Sequence, residues 1–188
     1  GSISYLYYAE RINQLPIALI GVALGTALLP TLSKQISQNK KSKAIYTQNR
    51  AIEFCLVLAI PASLAIFIIA EPIISSFFER GEFTSNAKIL SAKALQAFAV
   101  GVPAYVLVKI LTPIYFARQN TVTPVKIAIF CVFINFIFNI ILMQFYQHVG
   151  IAMATAIASW VNCLLLFYFL LKSKEIIFDN ILKKNFKK

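Results

Sequence analysis

The chain has 188 residues, 59% of them hydrophobic and only 13% charged, with a formal net charge of +11 and a mean hydropathy of +0.74. That is too much apolar surface for one buried core and suits several bilayer crossings, which excludes an ordinary soluble domain. The single histidine, the absence of a Gly-rich phosphate loop and the lack of an intramembrane carboxylate pair leave no nucleophile, base and orienter to assemble, which excludes catalysis.

A spanning helix needs about 20 mainly apolar residues. In chain order, the stretches 8–32, 51–77, 92–117, 122–145 and 150–171 meet that requirement. The expected fold is therefore an all-α polytopic membrane bundle of about five transmembrane helices, forming a single membrane domain over 1–188. Pro16, Pro30, Pro61, Pro72, Pro103 and Pro113 fall in or at the end of these stretches. Broken helices of this kind are tolerated where neighbours or a cavity re-satisfy the backbone, as in transporters.

The first span opens on Glu10-Arg11, just ahead of the apolar run. An arginine costs about 2.5–3.5 kcal/mol at a bilayer centre on insertion scales. Arg11 therefore either snorkels to the surface beside Tyr5, Tyr7 and Tyr8 or faces a wet cavity that handles anions. Glu10 precedes it and points about 100° away, which suits a rim charge better than a direct ion-pair partner. Gly21-x-x-x-Gly25 lets another helix approach closely, and the Ala152/Ala156 and Thr155/Ser159 pairs do the same in the last span.

Lys109 interrupts the third span near one end, where it can snorkel or face the cavity. Asn135 and Asn139 stand at i and i+4 on the fourth span, with Thr155 on the next. Stacked amides in lipid usually bond between helices, worth about 0.6 kcal/mol each. They also offer the oxygen ligands of a hard cation. The three cysteines, Cys55, Cys131 and Cys163, lie singly in apolar runs, with no spacing for a metal or disulfide. The only histidine, His148, falls in a polar break without candidate partners.

Basic residues set the orientation. Lys34, Lys40, Lys41, Lys43 and Arg50 follow the first span, Arg118 and Lys126 follow the third, and Lys172 and Lys174 open a basic tail over 172–188. The intervening loops are balanced or uncharged: Arg80 and Lys88 meet Glu79 and Glu82 in one, and the other has no formal charge. The positive-inside rule then places the first loop, third loop and tail in the cytoplasm, with the N-terminus of the chain outside. The tail lacks interleaved stacking aromatics, so it suits anionic lipid rather than nucleic acid.

Four segments carry a family resemblance: Tyr7-Tyr-Ala-Glu-Arg11, Gly21-Val-Ala-Leu-Gly-Thr-Ala-Leu-Leu-Pro-Thr-Leu-Ser33, Phe78-Glu-Arg-Gly-Glu-Phe-Thr84 and Tyr115-Phe-Ala-Arg-Gln-Asn-Thr-Val-Thr-Pro-Val-Lys126. In these the chain resembles the MurJ (MviN) family of lipid II flippases. Members have two six-helix lobes plus a terminal pair, and this chain looks like spans eight to twelve, most of the second lobe. The resemblance implies a bacterial inner-membrane transporter of lipid II, the undecaprenyl-diphosphate-linked muropeptide, working by alternating access with the remaining helices of the same transporter. It implies Arg11 as a ligand of the substrate diphosphate, with Lys109 and Glu10 at matching family positions. It places Asn139 where some relatives carry an acid. No cofactor is implied beyond coupling to a sodium ion or the membrane potential. An ion-coupled multidrug exporter of the same superfamily and a non-transporting scaffold fragment are the other readings.

Overall fold

The computed structural model describes residues 2–78 and 85–173, so Arg80, Gly81 and nearly all of the basic tail lie outside the described residues. The described chain is helical: α1 (Ser2–Pro16), a π-helical segment (Ile17–Val22), α2 (Ala23–Ser37), α3 (Lys41–Ile68), α4 (Ala70–Phe78), α5 (Ser85–Phe116) and α6 (Val122–Lys172). The helix of α1, the π segment and α2 runs without a break, so the first crossing is one rod carrying one irregular turn.

The helices outrun the apolar stretches that predict them. The basic loop expected over 33–50 shrinks to residues 38–40, closed at Asn39 in the left-handed region (φ 58°). Lysine, arginine and glutamine are good helix formers, so a span continues into water until a turn residue stops it. The stretch 51–77 is divided instead of continuous: α3 ends at Ile68 and Ile69 leaves helical geometry (φ −102°, ψ 24°). Pro72 is the reason. It cannot donate to the carbonyl four residues back and is tolerated in the first turn of α4, where the N–H is not needed.

α6 has 51 residues. As a straight rod it would reach about 76 Å, far beyond a bilayer core of about 30 Å. It is a hairpin. Gln147 (φ 50°, ψ −127°) breaks it, and the chain doubles back so tightly that a Cβ on Gly150 would lie 2.5 Å from the Leu142 carbonyl carbon and 2.9 Å from the Met143 nitrogen. Further down, Ile127 and Phe130 of one limb line a groove with Leu165 and Phe169 of the other. The break falls within the predicted polar interruption; four helices are long and apolar enough to cross a membrane, and the hairpin divides the longest of them in two. His148 is buried at the hairpin tip.

α5 is the central post, with 61% of its apolar window buried against 11% for α6. One core cluster gathers Leu28, Leu32, Cys55, Ile110, Ile114 and Leu166 around its second half; another gathers Ala9, Ile12, Ile74, Leu95 and Ala152 around its first. Polar side chains tie neighbours to the post by donating to backbone carbonyls. Tyr115 Oη donates to Leu166 O (2.7 Å), Trp160 Nε1 to Val100 O (3.0 Å) and Ser63 Oγ to Ala99 O (2.7 Å). The last follows from sequence: Pro103 has no N–H for the Ala99 carbonyl, and Ser63 supplies the missing donor. Cys55 of α3 and Cys131 and Cys163 of the two limbs of α6 are free and buried.

Candidate functional site

The first polar group lies on α1. Tyr7, Glu10, Arg11 and Gln14 line a hollow of about 100 Å³. Gln14 Nε2 donates to Glu10 Oε1 at 3.3 Å, a pair set by the i, i+4 spacing of one helix face. The Arg11 guanidinium stands over the Tyr7 ring, 4.8 Å from its centroid. Arg11 has no ion-pair partner among the described residues. Its charge is held by an aromatic face and left open to an incoming anion, since a cation–π contact uses the face of the guanidinium and leaves its in-plane donors free.

The second group lies on α5. Lys109 is exposed on a helix that is otherwise largely buried. One turn before it, Tyr105 folds its ring over Gly101, where a Cβ would lie 2.7 Å from Tyr105 Cε2. The Tyr105 hydroxyl is buried without a hydrogen-bond partner among the described residues. Gln14, beside Arg11, and Tyr105, one turn from Lys109, are the neighbours that sequence reasoning missed. The available signal was spacing: Tyr105 is four residues from Lys109 and Gln14 four from Glu10.

The amide group behaves differently from its expectation. Asn139 Nδ2 donates to Asn135 Oδ1 at 2.6 Å within one helix, where bonding between helices was expected. Asn139 Oδ1 is buried without a partner. Thr155 Oγ1 donates to Ile151 O (2.9 Å) and Ser159 Oγ to Thr155 O (2.9 Å), again along their own helix. The i, i+4 spacing lets each side chain satisfy itself on the preceding turn, which competes with any contact across the hairpin. The hairpin register that pairs Leu142 with Gly150 sets Thr155 level with the turn bearing Asn135 and Asn139. Among the described residues no cluster of His, Cys, Asp or Glu is built to hold a metal.

These features define a multi-pass helical membrane protein with exposed cations at Arg11 on α1 and Lys109 on α5. A family model described as "Lipid II flippase MurJ" matches residues 1–188. The chain belongs to that family. It is 43% identical over 176 residues to a probable lipid II flippase MurJ of Rickettsia prowazekii, covering 94% of this chain and 35% of the relative. It is 37% identical over 179 residues to another from Rhizobium tropici, covering 95% and 34%. A solved structure titled lipid II flippase MurJ, inward closed conformation, superposes with a TM-score of 0.82 at 34% identity, covering 93% of this chain and 36% of that one. The chain thus spans about a third of the length of the relatives it matches.

Proposed function

We propose that this chain is the second-lobe portion of a transporter that carries lipid II across the bacterial inner membrane by alternating access. The observation that carries the reading is Arg11: a guanidinium at the mouth of a membrane span, seated on Tyr7 and without a carboxylate partner among the described residues. Its planar fork can bind the oxygens of a diphosphate bidentately. The family membership and the likeness to a flippase structure support the same substrate. The work is movement of an intact lipid, with the remaining helices of the transporter closing the other side of the cavity and no covalent step. The test is rescue of cells depleted of their own flippase by the complete transporter containing this segment. Growth restored without any change in resistance to cationic drugs is the expected result. Drug export without rescue would favour the exporter reading.

The orientation belongs to the same proposal: first loop, third loop and basic tail in the cytoplasm, where the tail meets anionic lipid. Gln38 and Gln147 are both exposed, one at the turn after α2 and the other at the hairpin tip. Cysteines placed there should label from opposite faces, with position 147 alone reached by an impermeant reagent from outside. Labelling of both from one side would reverse the assignment.

For energy coupling, we propose that the amide pair is a structural element and that the driving force enters elsewhere, through the membrane potential or a sodium ion bound at another site. Asn139→Ala should lower stability by well under about 2 kcal/mol. The thermal midpoint should show no sodium dependence before or after the change. A sodium-dependent midpoint that Asn139→Ala abolishes would make the pair a cation site.

A further inference from the structure

Lys109 is held in an unusual way. Pro113 lacks the N–H that would bond the Lys109 carbonyl four residues earlier. That carbonyl is the group against which Gly25 packs: a Cβ at position 25 would lie 2.5 Å from Lys109 O and 3.6 Å from Pro113 Cγ. At Gly21, a Cβ would lie 3.2 Å from Lys109 Cβ, 3.3 Å from Lys109 Cγ and 3.3 Å from the Val106 Cα. Both glycines therefore face one proline-weakened turn of α5, and the lysine stem leaves that turn across Gly21.

The π segment explains why they face it. In an uninterrupted α-helix, positions 11, 14, 18, 21 and 25 fall on one face by their i+3 and i+4 spacing. The glycines would then open on the cavity side with Arg11. A π turn holds one residue more than an α turn, so the segment Ile17–Val22 rotates Gly25 and everything else after it by about 100°, and Gly21, near its end, by most of that. The glycines swing out of the Arg11 face and onto α5.

We propose that Gly21 and Gly25 are positioning residues that clamp the Pro113-weakened turn and fix where the Lys109 ammonium emerges, making Lys109 a second cationic step for the substrate diphosphate. Gly21 lies ten residues beyond Arg11, about 15 Å along the helix axis. The step lies toward the end of the rod that carries the first-loop lysines, so an anion entering there meets Lys109 before Arg11. This rests on the flippase reading above.

The two glycines separate in a test on the complete transporter purified in detergent, with inorganic pyrophosphate as the probe and calorimetric binding as the readout. Gly25→Ala meets backbone and is expected to lower the thermal midpoint. Gly21→Ala meets Lys109 Cβ and the Val106 Cα at 3.2 and 3.3 Å, which asks for a shift of only a few tenths of an ångström, so it should lower the midpoint less than Gly25→Ala. Lys109→Gln should weaken pyrophosphate binding about tenfold, and Gly21→Ala about fivefold. The double variant should bind no more weakly than Lys109→Gln alone, because the glycine acts through the lysine. A purely structural glycine would give additive losses. The proposal is overturned if Gly21→Ala is silent, if its effect adds to that of Lys109→Gln, or if it fails to accumulate in both backgrounds. A parent that binds no pyrophosphate overturns it as well. Silent Lys109 and Gly21 variants beside a defective Arg11→Ala would remove Lys109 and leave the flippase reading in place. Full rescue by Arg11→Ala would remove that reading itself.

Discussion

Arg11→Ala in the complete transporter should abolish rescue of flippase-depleted cells at normal expression, with membrane levels unchanged. The guanidinium rests on the Tyr7 ring and makes no ion pair among the described residues, so its removal leaves no buried carboxylate uncompensated. A stability loss is therefore not expected, and a loss of function reports on the substrate. Losing one charge-assisted contact in a desolvated site costs about 1.5–3 kcal/mol, roughly ten- to a hundredfold in affinity. Arg11→Lys distinguishes the two origins of that contact. An arginine that only snorkels needs charge and a long stem, so lysine should replace it almost silently. A diphosphate ligand needs two parallel donors in one plane, so the same change should cut flipping sharply. Glu10 serves as an internal control, because its bond is to Gln14. Glu10→Gln should keep that pairing and cost far less than Arg11→Lys. Full rescue by Arg11→Ala would return the residue to the membrane interface.

The crossings were legible because hydropathy is a property of segments, and a bilayer demands it over a fixed length. The hairpin of α6 was legible for the same reason: Gln147 and His148 interrupt an otherwise apolar run. Helix ends were not, since Lys41, Lys43, Ala44, Gln48 and Arg50 are good helix formers and their helix continues outside the hydrocarbon, where hydropathy carries no signal. Pro72 was read as a kink within one span, yet it starts a new helix, because proline suits a first turn better than a middle. Arg11, Glu10 and Lys109 stood out as charges in apolar sequence. The partner of Gly21 and Gly25 did not. A small-residue motif says that something approaches, but the identity of the neighbour is tertiary, and here it also depends on a π turn that shifts the register. The amide pair was visible from its spacing, while the direction of its hydrogen bond depends on rotamers that spacing leaves free.

The largest stability effect is expected at Gly150, and its cause is steric. Its φ is not in the left-handed region, so alanine is conformationally permitted; space is what it lacks. The added methyl would fall onto the Leu142 carbonyl, with Met143 N 2.9 Å away, and all of these are backbone atoms eight or fewer residues back along the same chain. The limbs of α6 can admit it only by opening at the tip, which also disturbs the buried His148. Overpacking of this kind costs about 1–3 kcal/mol, and the cost rises when the obstacle cannot rotate away. Gly101→Ala is the matched control. Its methyl would meet the Tyr105 ring at 2.7 Å, but a side chain can swing aside, so the loss should be smaller. Measured as thermal midpoints of the complete transporter in detergent, Gly150→Ala should fall well below both the parent and Gly101→Ala. Equal midpoints for the two variants would mean that the hairpin tip is loose, and that the fourth and fifth crossings are held together by the Ile127–Leu165 end of the groove instead of by the turn.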